Sequence, residues 1–280
     1  MTVRIRPFLN SDSPCLAKLW NVHHQLAGIP GQFTESEWEY SVLGKLIFDP
    51  EGLLIAENDT GALGFVHAVT FETESESPES MTEGLINALC VSEQPEEDEI
   101  ARQLMYAAEQ YLERRNVKRV FATSSPDRFA FYLGVGDTAG VIGVASRDVR
   151  LQKWLEQSGY ASGASVDSWQ IPLANFRTPM DRTQIAIRRQ GKIDILSNPA
   201  SDKSWWLATV LGHGEMFAFK LLMREADAIE KRVDFWQPEF ASLNTSGAFM
   251  HLIMPKILDQ TALDHYSYLI SEALDRKSVV

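Results

Sequence analysis

Four consecutive acidic residues occupy a position along the chain where a ligand-binding turn would lie. Residues 96–99 (Glu, Glu, Asp, Glu) separate an apolar run at 85–91 from a long amphipathic segment that begins at Ile100. The apolar run predicts a buried strand, and the apolar positions at three- and four-residue spacing predict a helix. A helix N-terminus at the carboxyl end of a strand commonly binds anions and other ligands. Two interpretations are open: the carboxylates complement the helix dipole, or main-chain N–H groups bind a ligand while the side chains turn outward.

The histidines and the familiar catalytic motifs give no second site of this kind. His23 and His24 are adjacent on a predicted helix and do not share a face, which argues against a paired metal site. His213, His251 and His265 are scattered, without carboxylates at ligand spacing. The sequence contains no GxSxG, GK[ST] or HExxH motif. We therefore predict no metal centre.

The elements that would position a site alternate along the first 173 residues. Strands are predicted at residues 2–7, 52–57, 64–73, 85–91, 117–123 and 165–173, and helices from Pro14, from Thr34, over 100–112, over 124–134 and over 146–159. Residues 84–122 form a βαβ unit, for which a right-handed connection is expected. This mixed order predicts an α/β or α+β sheet with helices on both faces.

The second half follows a similar order. Residues 175–182 are predicted to be a linker, because proline and polar residues interrupt both periodicities. Strands are then predicted at 184–187, 192–196, 216–224, 229–236 and 248–254, followed by a helix at 263–274. A hairpin, a buried strand and a helix thus repeat the order seen from residue 52, and the pattern indicates an internal repeat.

The composition limits the cellular setting and the partners. A net charge of −12 argues against binding to a nucleic acid backbone and against an anionic membrane surface. The two cysteines, Cys15 and Cys90, cannot form a disulfide framework or a cysteine-rich metal site. No apolar run reaches the length of a membrane span, and no secretory signal is visible. We expect a soluble, cytoplasmic protein.

Three passages resemble the GCN5-related N-acetyltransferase (GNAT) family, in particular its tandem forms. They are VRIRPFLNSDSPCLAKLWNVHH at 3–24, INALCVSEQPEEDEIARQLMYAAEQYLERRNVKRVFA at 86–122 and RLQKWLEQSGYASG at 150–163. The resemblance implies an α/β (α+β) fold, with a mixed, largely antiparallel sheet flanked by helices. It also implies a complete acetyltransferase-like domain at 1–175 and a partial second copy at 176–280.

The resemblance places an acetyl-CoA site at the end of the central strand and in the turn after it. The strand contacts would come from Cys90, Val91 and Ser92, and the Val91 N–H would polarise the thioester carbonyl. The turn and helix would contribute Ile100, Ala101, Arg102 and Gln103. The family's turn carries Arg or Gln, followed by two glycines or by Gly and Ala. Ala101 fits this pattern, whereas Glu96 stands at the Arg/Gln position and Glu99 at the first glycine position.

The resemblance also implies a general acid for the leaving thiolate and a base for the amine. The family's late-helix tyrosine corresponds to Leu155 in LEQSGY, so Tyr132 is the candidate acid; packing as a buried aromatic is the alternative. His67 and Asn87 are candidate bases, with Glu83 as a further one. His67 alternates with apolar neighbours, so a core histidine is its alternative role.

The predicted function is direct transfer of an acetyl group from acetyl-CoA to an amine, without a metal. The acceptor would be a small molecule or a peptide, and the acidic surface suits a cationic one. The C-terminal half would be a structural lobe, with a homodimer formed through an open sheet edge. The alternative is a catalytically silent acetyltransferase-like module that binds or interacts.

Overall fold

The chain forms two compact units, which are described separately. The first comprises Met1–Ser168, Lys203–His213 and Phe240–Gly247, and the second the remaining segments, Trp169–Asp202, Gly214–Glu239 and Ala248–Val280. The computed structural model describes residues 2–29, 33–72, 82–123, 131–132, 143–165, 167, 169, 172–173, 176–197, 211, 214–223, 228–238, 250–253 and 260–277. The predicted boundary at 175/176 stays a prediction.

A five-stranded sheet organises the first unit, in the order β1-β2-β3-β4-β5. Its strands are β1 (Arg4–Pro7), β2 (Leu53–Asn58), β3 (Gly61–Glu72), β4 (Thr82–Val91) and β5 (Arg119–Ala122). Neighbouring strands are antiparallel except β4 and β5, which are parallel. The predicted mixed, largely antiparallel fold is therefore confirmed.

Helices cover both faces of this sheet, because alternate strand residues point to opposite sides. One face carries α1 (Ser13–Leu26), α2 (Glu35–Trp38) and the segment 131–132. The other carries α3 (Glu97–Arg114) and α4 (Val149–Gln157). The buried stripe of α3 consists of Ile100, Ala101, Leu104, Met105, Ala108, Tyr111 and Leu112. The predicted crossover helix thus connects β4 to β5 with its apolar stripe against the sheet.

A β-bulge interrupts the pairing of β3 with β4. His67 lies opposite Ala88 and Ala68 lies opposite Ile86, which leaves Asn87 as the extra residue. The bulge shifts the alternation by one position, so that Cys90 faces the α1 side of the sheet and Val91 the α3 side. Sequence alternation alone does not reveal this shift.

Three predicted elements differ from the structure. The helix predicted from Thr34 has its capping box with Glu37, but the α-helix ends at Trp38 and a π-helical turn, Glu39–Leu43, follows. The described residues between 165 and 173 lie in no strand, which contradicts the strand predicted there. The strand predicted at 184–187 is wrong, because this segment belongs to helix α5 (Arg182–Gln190). The helix predicted at 124–134 falls largely outside the described residues.

The second unit is built on a four-stranded antiparallel sheet in the order β6-β7-β8-β9. The strands are β6 (Gly191–Ser197), β7 (Gly214–Met223), β8 (Ala228–Pro238) and β9 (His251–Ile253), followed by α6 (Gln260–Lys277). Order and pairing match those of β1–β4, and α6 follows β9 as α3 follows β4. This order is compatible with a partial second copy, which stays a prediction.

Candidate active site

The end of β4 extends beyond its neighbour β5. The β4–β5 pairing runs from Glu83 to Ile86, and the last hydrogen bond joins the Thr123 N–H to the Ile86 carbonyl at 2.8 Å. Strand β4 continues to Val91, still paired with β3 on its other side. Among the described residues, no strand therefore borders positions 87–91 on the β5 side.

Both main-chain polar groups of Val91 point toward this open side. The Ser92 N–H donates to the Leu63 carbonyl at 2.9 Å, so those two residues form a hydrogen-bonded pair. Pairs alternate along an antiparallel ladder, which makes Gly64 and Val91 a non-hydrogen-bonded pair. The predicted contact residues Cys90, Val91 and Ser92 thus form the free end of β4, and the Val91 N–H faces away from β3.

The side chain of Arg150, at the start of α4, closes over this strand end. Its Nη2 donates to the Val91 carbonyl at 3.1 Å and to the Glu97 carboxylate at 2.6 Å. The guanidinium carbon lies 4.9 Å from the Trp154 ring centroid. Its Nη1 atom is buried without a hydrogen-bond partner. One arginine therefore links β4, α3 and α4.

The acidic residues at the start of α3 are engaged by side chains. Asp98 accepts hydrogen bonds from Lys153 Nζ at 2.5 Å and from Trp154 Nε1 at 2.8 Å, both on α4. Glu99 pairs within its own helix, where the hydrogen bonds from Arg102 and Gln103 lower its pKa to about 2. No side chain caps the helix at Glu96. Asp98, together with Glu97 and its hydrogen bond from Arg150, therefore holds α4 in place. Neither interpretation of the sequence included this role.

The other predicted cofactor residues divide into two pairs. Ile100 and Ala101 are buried in the core between α3 and the sheet. Arg102 and Gln103 lie on the helix surface and bind Glu99. The main-chain groups of all four residues lie near the N-terminus of α3. The first hydrogen bond of the helix runs from the Ile100 N–H to the Glu96 carbonyl at 3.0 Å. A role in cofactor binding stays a prediction for all four.

The structure brings the three predicted catalytic residues together on the α1 face. His67 Nδ1 and the Tyr132 hydroxyl are 2.9 Å apart and share a hydrogen bond. The Tyr132 ring is stacked on Trp20, with centroids 4.7 Å apart, and it also contacts Trp38. Asn87, at the bulge, accepts a hydrogen bond from the Phe131 N–H at 3.2 Å.

Burial sets the charge state of this group. It lowers the pKa of His67 to about 3, with a smaller contribution from the charge of Lys45, and raises the pKa of Tyr132 well above its usual value. The pKa of the Cys90 thiol is raised well above its usual value, again chiefly by burial. At neutral pH His67 is neutral, and Tyr132 and Cys90 keep their protons.

Two further buried groups lie near this site, and sequence reasoning missed both. Lys45 Nζ donates to the Phe131 carbonyl at 2.6 Å, and burial lowers the pKa of Lys45 to about 7. His23 Nε2 lies 3.1 Å from Asp148 Oδ2, and both side chains are almost fully buried. The sequence indicated Asp148 only as an N-cap, because it stands directly before a predicted helix. Its contact with His23 joins residues 125 positions apart and left no sequence pattern.

Glu83, the further candidate base, pairs with a basic residue of β5. It lies at the opposite end of β4 from Val91, eight residues away, which is about 26 Å along an extended strand. Arg119 donates to its carboxylate at 3.3 Å. Its role as a base stays a prediction.

The remaining histidine prediction concerned metals. His24 Nδ1 lies 2.9 Å from the Trp20 carbonyl, and its ring stacks on Trp20 at 4.1 Å. Burial lowers its pKa to about 4. The part of the chain that the structure describes contains no group of three His, Cys, Asp or Glu residues that could hold a metal ion.

Residues 16–135 match the model of the acetyltransferase (GNAT) family. This region, which lies within the first unit, is similar to GNAT acetyltransferases. The match includes β4, α3 and the His67–Tyr132 pair, whereas Leu155 and the passage 150–163 lie outside it. Tyr132 therefore lies within the matched region, and α4 follows it. No curated protein resembles the sequence closely enough to count as a match.

Solved structures with the GNAT fold resemble the chain at low identity. A GCN5-related glucosamine N-acetyltransferase region of a fungal multi-domain β-N-acetylglucosaminidase is 12% identical, with a TM-score of 0.66, over 99% of this chain and 34% of that one. The aminoglycoside N-acetyltransferase AAC(6')-Iy in complex with CoA is 14% identical, with a TM-score of 0.41, over 61% of this chain and 95% of that one. The ribosomal-protein-alanine N-acetyltransferase of Brucella melitensis biovar Abortus 2308 is 16% identical, with a TM-score of 0.38, over 61% and 99%. The first of these likenesses shows the fold.

None of the helices described in the structure is both long enough and apolar enough to cross a membrane.

Proposed function

We propose that the first unit is a GNAT acetyltransferase domain, which transfers an acetyl group from acetyl-CoA directly to an amine. The observation that carries this proposal is the open end of β4, where the Val91 N–H points away from β3. A thioester carbonyl at that N–H would receive a hydrogen bond as negative charge develops on its oxygen. The family match supports an acyltransferase, and the amine acceptor and acetyl-CoA donor are parts of the proposal.

In the proposed step, a neutral amine attacks the thioester carbonyl carbon, and the nitrogen passes its proton to water as the C–N bond forms. The C–S bond breaks, the leaving thiolate takes the hydroxyl proton of Tyr132, and the phenolate recovers a proton from solvent. This role requires that the hydroxyl proton of Tyr132 be free, so His67 donates its Nδ1 proton to the phenol oxygen. A histidine with a pKa of about 3 is a poor base for an amine, and we assign His67 to the orientation of Tyr132 instead.

The proposed class of acceptor rests on the net charge of the chain alone. The net charge of −12 favours a cationic acceptor, either a small polyamine-like molecule or a basic peptide. We also propose that the protein is cytoplasmic, that the second unit has a structural role and that the chain forms a homodimer.

A second candidate function is a silent binding module with the acetyltransferase fold. The observation that favours it is the hydrogen bond from Arg150 to the Val91 carbonyl. That carbonyl belongs to the main chain that would hold the pantetheine arm, so Arg150 would compete there with a donor molecule.

Titration of acetyl-CoA, followed by calorimetry and by thermal unfolding, separates the two functions. Binding at 100 times the dissociation constant stabilises the folded protein by about 2.7 kcal/mol. A well-folded protein that shows no heat and no stabilisation at millimolar acetyl-CoA would refute the enzyme and leave the silent module.

If acetyl-CoA binds, Tyr132→Phe tests the acid. We expect slower acetyl transfer to a panel of polyamines and basic peptides, with unchanged acetyl-CoA affinity. Tyr106→Phe is the matched control, because Tyr106 is 61% exposed on α3. Equal rates for both variants and the wild type on a responsive amine would remove Tyr132 from the mechanism.

A further inference from the structure

Lys45 is buried on the α1 face without a carboxylate partner. The residue is 8% exposed and follows the π-helical turn Glu39–Leu43. Its Nζ donates to the Phe131 carbonyl at 2.6 Å and lies 4.9 Å from the Phe131 ring centroid. No aspartate or glutamate in the described ranges forms an ion pair with it. A buried ammonium without a counter-ion is unfavourable for folding, which makes Lys45 a candidate for a role beyond packing.

The contacts of Lys45 fix the main chain immediately before Tyr132. Lys45 binds the carbonyl of Phe131, and Asn87 accepts from the N–H of the same residue at 3.2 Å. These two side chains come from different elements, one following the π-helical turn and the other at the bulge of β4. Both main-chain polar groups of residue 131 are therefore held by buried side chains.

The side chain of Tyr132 has little freedom once residue 131 is held. Trp20 stacks on one part of its ring and Trp38 lies 5.4 Å away. Its hydroxyl is 2.9 Å from His67 Nδ1. Displacement of the Phe131 carbonyl would move the start of residue 132, and with it the direction in which the phenol projects.

We propose that Lys45 is a positioning residue for Tyr132, acting through the carbonyl of Phe131 with Asn87 as the second anchor. The functional meaning of this assignment rests on the proposed acid role of Tyr132. Asn87 thereby holds the acid in place, which differs from the base role expected from the sequence.

Nitrogen NMR of the histidine rings tests this assignment without any enzyme assay. The chain has six histidines, and the His67 Nδ1 signal is the one that moves when Tyr132→Phe removes the shared hydrogen bond. We expect Lys45→Met to move that signal in the same direction, by more than half of the Tyr132→Phe displacement. The double variant should lie close to Tyr132→Phe and well short of the sum of the two displacements, because Lys45 acts mainly through the tyrosine and its direct charge effect on His67 is smaller.

The control is Lys118→Met, an exposed lysine whose replacement should leave the signal at its wild-type position. A wild-type His67 signal in Lys45→Met would overturn the proposal, as would a double variant whose displacement is the sum of the two single ones. If Lys45→Met does not fold, Lys45→Gln takes its place. Its shorter side chain weakens the hydrogen bond to the Phe131 carbonyl, so we expect a smaller displacement in the same direction, and a wild-type signal would overturn the proposal.

The result of this experiment is independent of whether the proposed function is correct. An absence of acetyl-CoA binding together with the expected NMR result would refute the acetyltransferase and keep the positioning of Tyr132. Acetyl transfer that depends on Tyr132, together with an unmoved signal in Lys45→Met, would keep the enzyme and refute the role of Lys45.

Discussion

Replacement of Asp148 by alanine should destabilise the first unit more than any surface substitution. Asp148 Oδ2 lies 3.1 Å from His23 Nε2 on α1, and Oδ1 accepts the Leu151 N–H at 3.0 Å as the cap of α4. The side chains of His23 and Asp148 are 1% and 4% exposed. The carboxylate therefore joins helices from opposite faces of the sheet.

The magnitude follows from these two contacts. Removal of one partner from a buried pair costs about 3–5 kcal/mol, and loss of a helix N-cap costs about 0.5–2 kcal/mol. The two losses share one side chain, so we expect Asp148→Ala to lower the free energy of unfolding by about 3–5 kcal/mol in total. Asp148→Asn retains an acceptor for the cap and a neutral hydrogen bond to His23, so its loss should be about 1–2 kcal/mol.

The pH dependence has a defined sign. Burial alone would raise the pKa of Asp148, but the hydrogen bond and charge of His23 and the Leu151 N–H outweigh it, so the folded pKa lies below 3.8. A carboxylate with a lowered folded pKa stabilises the protein above its unfolded pKa, and this contribution is lost as the pH falls through the folded value. The difference between wild type and Asp148→Asn should be complete at pH 6 and should shrink below about pH 4.

Urea unfolding followed by tryptophan fluorescence and circular dichroism, at pH 6 and pH 3.5, measures these differences. Asp59→Ala is the matched control, because Asp59 is exposed in the β2–β3 turn. A loss below about 1 kcal/mol for Asp148→Ala would refute the reasoning, since it lies outside the range for a broken buried pair. If Asp148→Asn loses as much free energy of unfolding as Asp148→Ala, the charge of Asp148 and its role as an N-cap do not make the separate contributions assumed here.

Three further predictions concern the strand end and the acidic turn. Arg150→Met frees the Val91 carbonyl of a charged hydrogen bond worth about 1.5–3 kcal/mol, so calorimetry should show acetyl-CoA binding about tenfold tighter or better; weaker binding would mean that Arg150 holds the donor. Gly64→Ala should lower the free energy of unfolding by about 1–3 kcal/mol, because a Cβ there would lie 2.7 Å from the Cys90 carbonyl oxygen; an unchanged urea midpoint would contradict it. Glu99→Gln should leave the urea midpoint unchanged, because Glu99 is exposed and its ion pair is a surface one.

Local patterns predicted the framework of the fold well and its exceptions poorly. The apolar run before Glu97 and the stripe that follows it gave β4 and α3, because both depend on spacing within one element. The alternation of Ile185 and Ile187 indicated a strand in a segment that is helical. Asp181 caps that helix by accepting the Gln184 N–H at 2.8 Å, and Ile187 is buried.

The candidate site shows the same division between local and distant information. His67 and Tyr132 were each identified as candidates, but their hydrogen bond joins residues 65 positions apart. The contact of Lys45 with Phe131 spans 86 positions. Such contacts depend on the register of β3 with β4 and on the bulge at Asn87, and neither leaves a periodic signal in the sequence.

The acidic turn takes on a different meaning once α4 is included. Glu97 binds Arg150 and Asp98 binds Lys153, so the two carboxylates and the two cations cancel in charge. Repulsion of a pyrophosphate by those two carboxylates is therefore largely offset, and their presence alone does not separate an enzyme from a silent module. The hydrogen bond from Arg150 to the Val91 carbonyl bears on this distinction, because a donor N–H that approaches the same side of that oxygen would compete with the guanidinium. Under the proposed function, removal of Arg150 therefore favours binding of the donor, and acetyl-CoA titration of Arg150→Met beside the wild type measures that competition.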